Sequence, residues 1–146
     1  MEIRKMIIDD YEDVYNLWIS TPGMGLNNID DSKEGIDKFL KRNPNTCFIA
    51  KIKDRVIGVI LCGHDGRRGY IYHTAVDINN RKKGIGELLV NYALDALKTE
   101  GINKVALVVF SNNDVGNSFW ENRGFTIRKD LKYRNKALVE LERNDT

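Results

Sequence analysis

Cysteine is almost absent from this sequence: Cys47 and Cys62 are its two cysteines, and neither sits in a C-x-x-C pair. That excludes a disulfide framework and leaves two buried thiols in a reducing compartment as the simplest reading. Proline is as scarce, with two residues, and no Pro/Gly/Ser linker, low-complexity tract or internal repeat divides the chain. A single domain over residues 1–146 is expected. No apolar run approaches membrane-spanning length, and the start Met1-Glu2-Ile3-Arg4-Lys5 lacks the apolar stretch of a signal peptide. These gaps point to a cytoplasmic location with no membrane partner. Charge of one sign is missing too: 23 basic against 21 acidic side chains leave a formal net charge of +2. A balance that even argues against bulk attraction to nucleic acid, and any anion site has to be local.

What is present is the composition of a globular protein, 42% hydrophobic and 30% charged. Glu2–Ile8 reads as a first strand. Tyr11, Val14, Tyr15, Leu17 and Trp18 recur at helical spacing after a candidate cap at Asp9 or Asp10. Thr21-Pro22-Gly23-Met24-Gly25 stops that helix. Ser32 is expected to cap a second helix carrying Ile36, Phe39 and Leu40, ending before Asn43-Pro44. Strands follow at Cys47–Lys53, Val56–Gly63 and Tyr70–Ile78, with Asp54-Arg55 as a hairpin connection and His64–Gly69 as a turn. Asp65-Gly66-Arg67-Arg68 within that turn is read as an exposed hairpin end ahead of an anion grip. Leu88, Leu89, Tyr92, Ala93, Leu94, Ala96 and Leu97 mark an amphipathic helix closed by Gly101. Lys104–Phe110 reads as a strand buried on both faces, Asp114–Asn122 as a short helix, and Phe125–Arg128 and Leu131–Leu141 as a final pair of strands. The fold class is mixed α+β.

The segment from Ala75 to Leu89 carries the chemistry. A strand enters a turn containing Gly84 and Gly86, which opens onto a helix. A helix start offers unpaired N–H groups and a positive dipole end, and glycine lets an anion come close. Arg81, Lys82 and Lys83 concentrate positive charge there. The loop lacks the third glycine of a dinucleotide fingerprint and the Gly-Lys-Ser/Thr of a Walker loop.

Arg81-x-x-Gly84-x-Gly86 resembles the acyl-CoA motif R/Q-x-x-G-x-G/A of the GCN5-related N-acetyltransferases (GNAT). The run Asn113-Asp114-Val115-Gly116-Asn117-Ser118-Phe119-Trp120-Glu121-Asn122-Arg123-Gly124-Phe125 is similar to the same family's N-x-x-A-x-x-F-Y-E-x-x-G-F. The order of elements agrees over essentially the whole chain. The resemblance implies a mostly antiparallel sheet of about seven strands with a V-shaped splay, flanked by about four helices. It implies acetyl-CoA as cosubstrate, no metal, and direct attack of a neutral primary amine of an unidentified acceptor on the thioester in a ternary complex. A non-catalytic acyl-CoA-binding sensor or regulatory module is the alternative. Carried over by position, the backbone at Val76 and Ile78 would pair with the pantetheine arm. The amides of Lys82, Lys83, Gly84, Ile85, Gly86 and Glu87 would hold the pyrophosphate beside Arg81, and Asn113 would reach the cofactor. The Val76 N–H would serve as the oxyanion donor. The loop Thr21–Asn28 would face the acceptor, and homodimers are usual in the family.

One position departs from the pattern. Where the family has the tyrosine that protonates the leaving thiolate stands Trp120, whose indole donates a hydrogen bond but gives up no proton at neutral pH. Trp120 is therefore read as lining the cofactor or as core beside Phe119 and Phe125. Candidate proton handlers lie on the strand Tyr70–Val76. Alternation puts Tyr70, Tyr72, Thr74 and Val76 on one face and Ile71, His73 and Ala75 on the other. No carboxylate stands near Tyr70, where some relatives carry a general base. His73 is a candidate base by residue type, although a strand histidine is more often structural. Tyr133 is a further candidate acid.

Overall fold

The computed structural model describes residues 1–144. Five strands form one sheet in chain order: β1 (Glu2–Lys5), β2 (Phe48–Ile52), β3 (Arg55–His64), β4 (Gly69–Val76) and β5 (Val105–Ala106). The first three pairings are antiparallel and β4–β5 is parallel. Helices α1 (Tyr11–Ile19) and α2 (Lys33–Arg42) cover one face. Helices α3 (Ile85–Thr99) and α4 (Asp114–Asn122) cover the other.

Each helix is placed by the spacing of its apolar residues. Val14, Leu17 and Trp18 of α1 and Ile36 and Leu40 of α2 pack with Ile49, Val59 and Leu61 of the sheet. Opposite them, Ile85, Leu89, Val90, Ala93 and Leu97 of α3 meet Ile57, Ile60 and Ile71. Burying a side chain of this size contributes roughly 1.5–3 kcal/mol, so these two clusters fix both helical layers against the sheet. Ser32 caps α2 as its sequence requires, its hydroxyl accepting from the Gly35 N–H at 3.0 Å. Asp10 precedes α1 but its side chain does not cap it: the buried carboxylate takes both guanidinium nitrogens of Arg4, at 2.8 and 2.9 Å, and the Ile7 N–H at 2.9 Å.

Four expectations are corrected. The β2–β3 hairpin closes on the pair Ile52–Arg55, so the connection is Lys53-Asp54, with Lys53 at φ +56°. The first strand stops at Lys5, since the chain turns into a 3-10 turn at Ile8–Asp10. The segment 104–110 is not buried on both faces; it pairs only at Val105 and Ala106, and Val108 and Phe110 stand 56% and 45% exposed. The two final strands do not form among the described residues, leaving five strands where about seven were expected. Strand tendency is realised only against a ladder partner and a covering layer, and Ile127, Leu131, Leu138 and Val139 have neither. The tail is instead tied at its end, where Asn28 N–H donates to the Glu142 carbonyl and Asn144 N–H to the Leu26 carbonyl.

Cys47 and Cys62 are both free and buried, and burial pushes each thiol up to about 12. Since the thiolate is the reactive form, neither is expected to react with iodoacetamide at pH 8 in the native protein. Both should alkylate fully once it is unfolded in guanidinium, as read by intact mass.

Candidate active site

Strands β4 and β5 run parallel but meet only at their starts, Gly69 with Val105 and Tyr70 with Ala106. Beyond that point they part, and the sheet opens on the edge of β4. This is the V-shaped splay, and it leaves backbone groups of β4 unclaimed. Asp77 N–H donates to the Ile57 carbonyl at 2.8 Å, toward β3. Alternation then aims the N–H and C=O of Val76 into the opening. Arg81 Nε donates to that carbonyl at 3.2 Å, and the Val76 N–H stays available.

At the mouth of the opening the chain makes a tight turn. Asp77 anchors it, its carboxylate accepting from Arg55 at 3.0 Å and from Asn80 Nδ2 at 2.9 Å. Residues 78–80 form a single 3-10 turn. Ile78 thus lies outside the strand and 72% exposed, which corrects its expected place as a strand residue that pairs with a ligand arm. Lys82 at φ +62° and Gly84 at φ +80° bend the loop into α3, with Gly84 as the N-cap in the left-handed region that glycine alone enters without strain. No side chain caps α3. The N–H groups of Ile85, Gly86 and Glu87 begin the helix without intrahelical partners, and Arg81, Lys82 and Lys83 are exposed around them. A Cβ at Gly84 would meet nothing within 4 Å, so the space over this helix start is open. Gly86 rests against the Phe119 ring of α4, where a Cβ would come to 3.0 Å.

Helix α4 packs beside this site, joined to α3 by Phe119 against Gly86 and by Arg123 near Glu87. Asn113 Oδ1 caps it by accepting the Gly116 N–H at 2.9 Å, a task local to the helix. Trp120 is 9% exposed and stands edge-on to Phe119 and Phe125, within the cluster on the α3 side. Arg123 lies 4.0 Å over the Phe119 ring and 3.6 Å from Glu87.

The other wall of the opening carries the titratable candidates, and here the expected alternation fails. On β3 the step from Ile60 to Cys62 is two residues; opposite, from Thr74 to Ile71, it is three. The extra residue is a β-bulge at Tyr72-His73. It places Ile71 with the α3 cluster and Ala75 with the α1–α2 cluster, two residues that strict alternation puts on one face. Tyr72 and His73 both turn toward the α1–α2 side. Tyr72 stacks edge-on to Phe39, and His73 lies edge-on to Trp18 with ring centroids 5.1 Å apart. Burial raises the Tyr70 phenol to about 12 and shifts that of Tyr72 the same way. Both stay protonated at neutral pH and suit donation rather than proton abstraction. Tyr133 is 67% exposed on the tail, not on a strand.

The partner of His73 is a residue the sequence does not single out. Asp31 Oδ1 lies 2.7 Å from His73 Nε2, and the two side chains are 5% and 14% exposed. Asp31 Oδ2 also accepts the Asn27 N–H at 2.8 Å, and its carbonyl takes the Tyr11 hydroxyl at 2.6 Å. The turn His64–Gly69 is an exposed hairpin end, Asp65 Oδ1 accepting from Arg67 and Arg68 N–H at 2.8 Å each. Among the described residues no group of three or more His, Cys, Asp or Glu is gathered to hold a metal, and no helix is long and apolar enough to cross a membrane.

Comparison with known proteins agrees with this geometry. The model of the acetyltransferase (GNAT) family matches residues 11–125. The acetyltransferase SG1711 of Sodalis glossinidius is 30% identical over 140 residues, 96% of this chain and 97% of that one. Among solved structures, Ard1 from Thermoplasma volcanium superposes with a TM-score of 0.77 at 23% identity, covering 87% of this chain and 83% of that one. The PaiA N-acetyltransferase from Thermoplasma acidophilum, solved with coenzyme A, gives a TM-score of 0.73 at 22% identity over 87% and 90%.

Proposed function

The chain belongs to the GNAT acetyltransferase family, and from that premise we propose that it transfers the acetyl group of acetyl-CoA to a primary amine. The observation that carries the proposal is the parting of β4 and β5 directly beside an uncapped helix start whose amides and open space suit two phosphates. The coenzyme A bound to the PaiA neighbour supports the same donor.

In this reading the pyrophosphate lies over Gly84, held by the amides of Lys82 to Glu87, with Arg81, Lys82 and Lys83 supplying charge. The pantetheine arm pairs with the open edge of β4 at Val76. The thioester carbonyl then sits in the splay, where the free Val76 N–H is an oxyanion donor as negative charge develops on the oxygen. Attack by the neutral amine forms the C–N bond and the C–S bond breaks. Tyr70 and Tyr72, protonated at neutral pH, are the candidate donors to the departing sulfur. Trp120 serves by packing: Trp120→Phe is expected to keep kcat within about threefold while lowering stability by roughly 1–2 kcal/mol, read by a thermal melt. The loop between α1 and α2 borders the acceptor.

The test is release of CoA thiol in the presence of a panel of primary amines, with matched tertiary amines and alcohols as controls. The proposal expects release with primary amines alone and an acetamide product by mass. Tight binding of acetyl-CoA with no release across the panel would leave a non-catalytic acyl-CoA sensor.

A further inference from the structure

We infer that His73, turned by the bulge in β4 toward the α1–α2 loop and clamped there by Asp31, is the group that takes the proton from the acceptor amine, with Asp31 as its positioning residue. The inference rests on the acetyltransferase reading above and adds to it a base and the residue that aims it.

Three observations converge. The first is the contact itself: Nε2 of His73 and Oδ1 of Asp31 are 2.7 Å apart and nearly closed off from water. A carboxylate only accepts, so this contact fixes the hydrogen on Nε2 and leaves the lone pair on Nδ1. Nδ1 has no hydrogen-bond partner among the described residues, so its lone pair is not engaged by the fold. The second is what holds Asp31. The Asn27 N–H on its other oxygen and the Tyr11 hydroxyl on its carbonyl lock the carboxylate to the end of the loop that borders the acceptor. The third lies behind the imidazole. Trp18 is fully buried and edge-on to His73, and its indole N–H has no hydrogen-bond partner among the described residues. This ring contact, with centroids 5.1 Å apart, holds the imidazole plane beside Asp31.

The step balances. Nδ1 takes a proton from the ammonium form of the acceptor and later returns it to solvent. The freed lone pair forms the C–N bond to the thioester carbon. The C–S bond breaks with its electron pair leaving on sulfur, which takes a proton from Tyr70 or Tyr72; the acylated nitrogen then gives up one of its two protons to restore that phenol and keeps the other as the amide N–H. The products are an amide and free CoA thiol.

The sequence holds two histidines, so 15N-histidine labelling shows two rings, and His73→Gln assigns them. The wild type is expected to show His73 with hydrogen on Nε2 and a bare Nδ1; Asp31→Asn is expected to give a mixture of tautomers. In turnover at fixed pH, His73→Gln should lower kcat about 100-fold or more, with acetyl-CoA affinity and acceptor KM within about threefold. Asp31→Asn should lower kcat about 10-fold, and added imidazole should partly restore His73→Ala. Hydrogen on Nδ1 in the wild type overturns the inference. So does a His73→Gln variant that binds acetyl-CoA and keeps kcat within threefold. Should the variants fail to fold, the wild-type tautomer decides alone. Failure of the wild type to bind acetyl-CoA at all would overturn the acetyltransferase reading itself, and this inference with it.

Discussion

Gly84→Asp is expected to weaken acetyl-CoA binding by about 100-fold or more in a calorimetric titration, with the far-UV spectrum of the protein unchanged. Two effects add. Gly84 holds φ +80° at the start of α3, a conformation that costs an L-residue roughly 1–2 kcal/mol. The second is charge. A side chain built at Gly84 enters open space, the same space proposed for the pyrophosphate, and a carboxylate there faces two phosphates across a few ångströms. At an effective dielectric near 20 a like-charge contact of that kind is worth a few kcal/mol, and each ~1.4 kcal/mol is a factor of ten in Kd. Gly84→Ala separates the two, since it brings the backbone strain without the charge. It should lower stability by about 1 kcal/mol and affinity only several-fold. Equal losses in both variants would mean that the loop matters for its shape and that no anion sits over it.

Gly35→Ala is expected to have the largest effect on stability. Gly35 lies in the first turn of α2, and a Cβ there would come to 2.4 Å from the carbonyl oxygens of both Ile29 and Asp30. Those atoms are backbone and have no rotamer to yield. Either α2 lifts from the sheet or the 29–31 segment moves. The first disturbs Ile36 and Leu40 in the core; the second drags Asp31 away from His73. A loss of about 2–3 kcal/mol follows from overpacking of this kind, or roughly 6–10 °C in Tm for a chain of this size. Turnover should fall beyond what the unfolded fraction explains, because the loop that moves carries Asp31. A variant with an unchanged Tm would show that the close approach of α2 to Ile29-Asp30 is wrong.

The glycine loop and the helix it opens were legible because their signals are local. Gly84 and Gly86 sit within three residues of one another, and α3 follows with a buried stripe at helical spacing. Ser32 caps α2 for the same reason, reaching only three residues ahead; the cap that Asn113 makes on α4 is equally local, yet that residue was read as a cofactor contact. The bulge at Tyr72-His73 was not legible: period-2 reasoning assumes an unbroken register, and one inserted residue exchanges the faces beyond it. Asp31 was hidden more deeply. It stands in an ordinary acidic run, Asp30-Asp31, and its partner is 42 residues away on another element. The final strands were over-read, because β-branched and aromatic residues at Phe125–Leu141 announce strand tendency while pairing depends on which edge is within reach.

The most direct measurement is the amide spectrum of 15N-labelled protein titrated with CoA. A cosubstrate seated between the open edge of β4 and the start of α3 predicts large shifts at Val76 and at Lys82 through Glu87, with smaller ones on α4 at Gly116 and Phe119. Shifts confined elsewhere, or none at millimolar CoA, would contradict the placement of the cosubstrate and with it the proposed reaction.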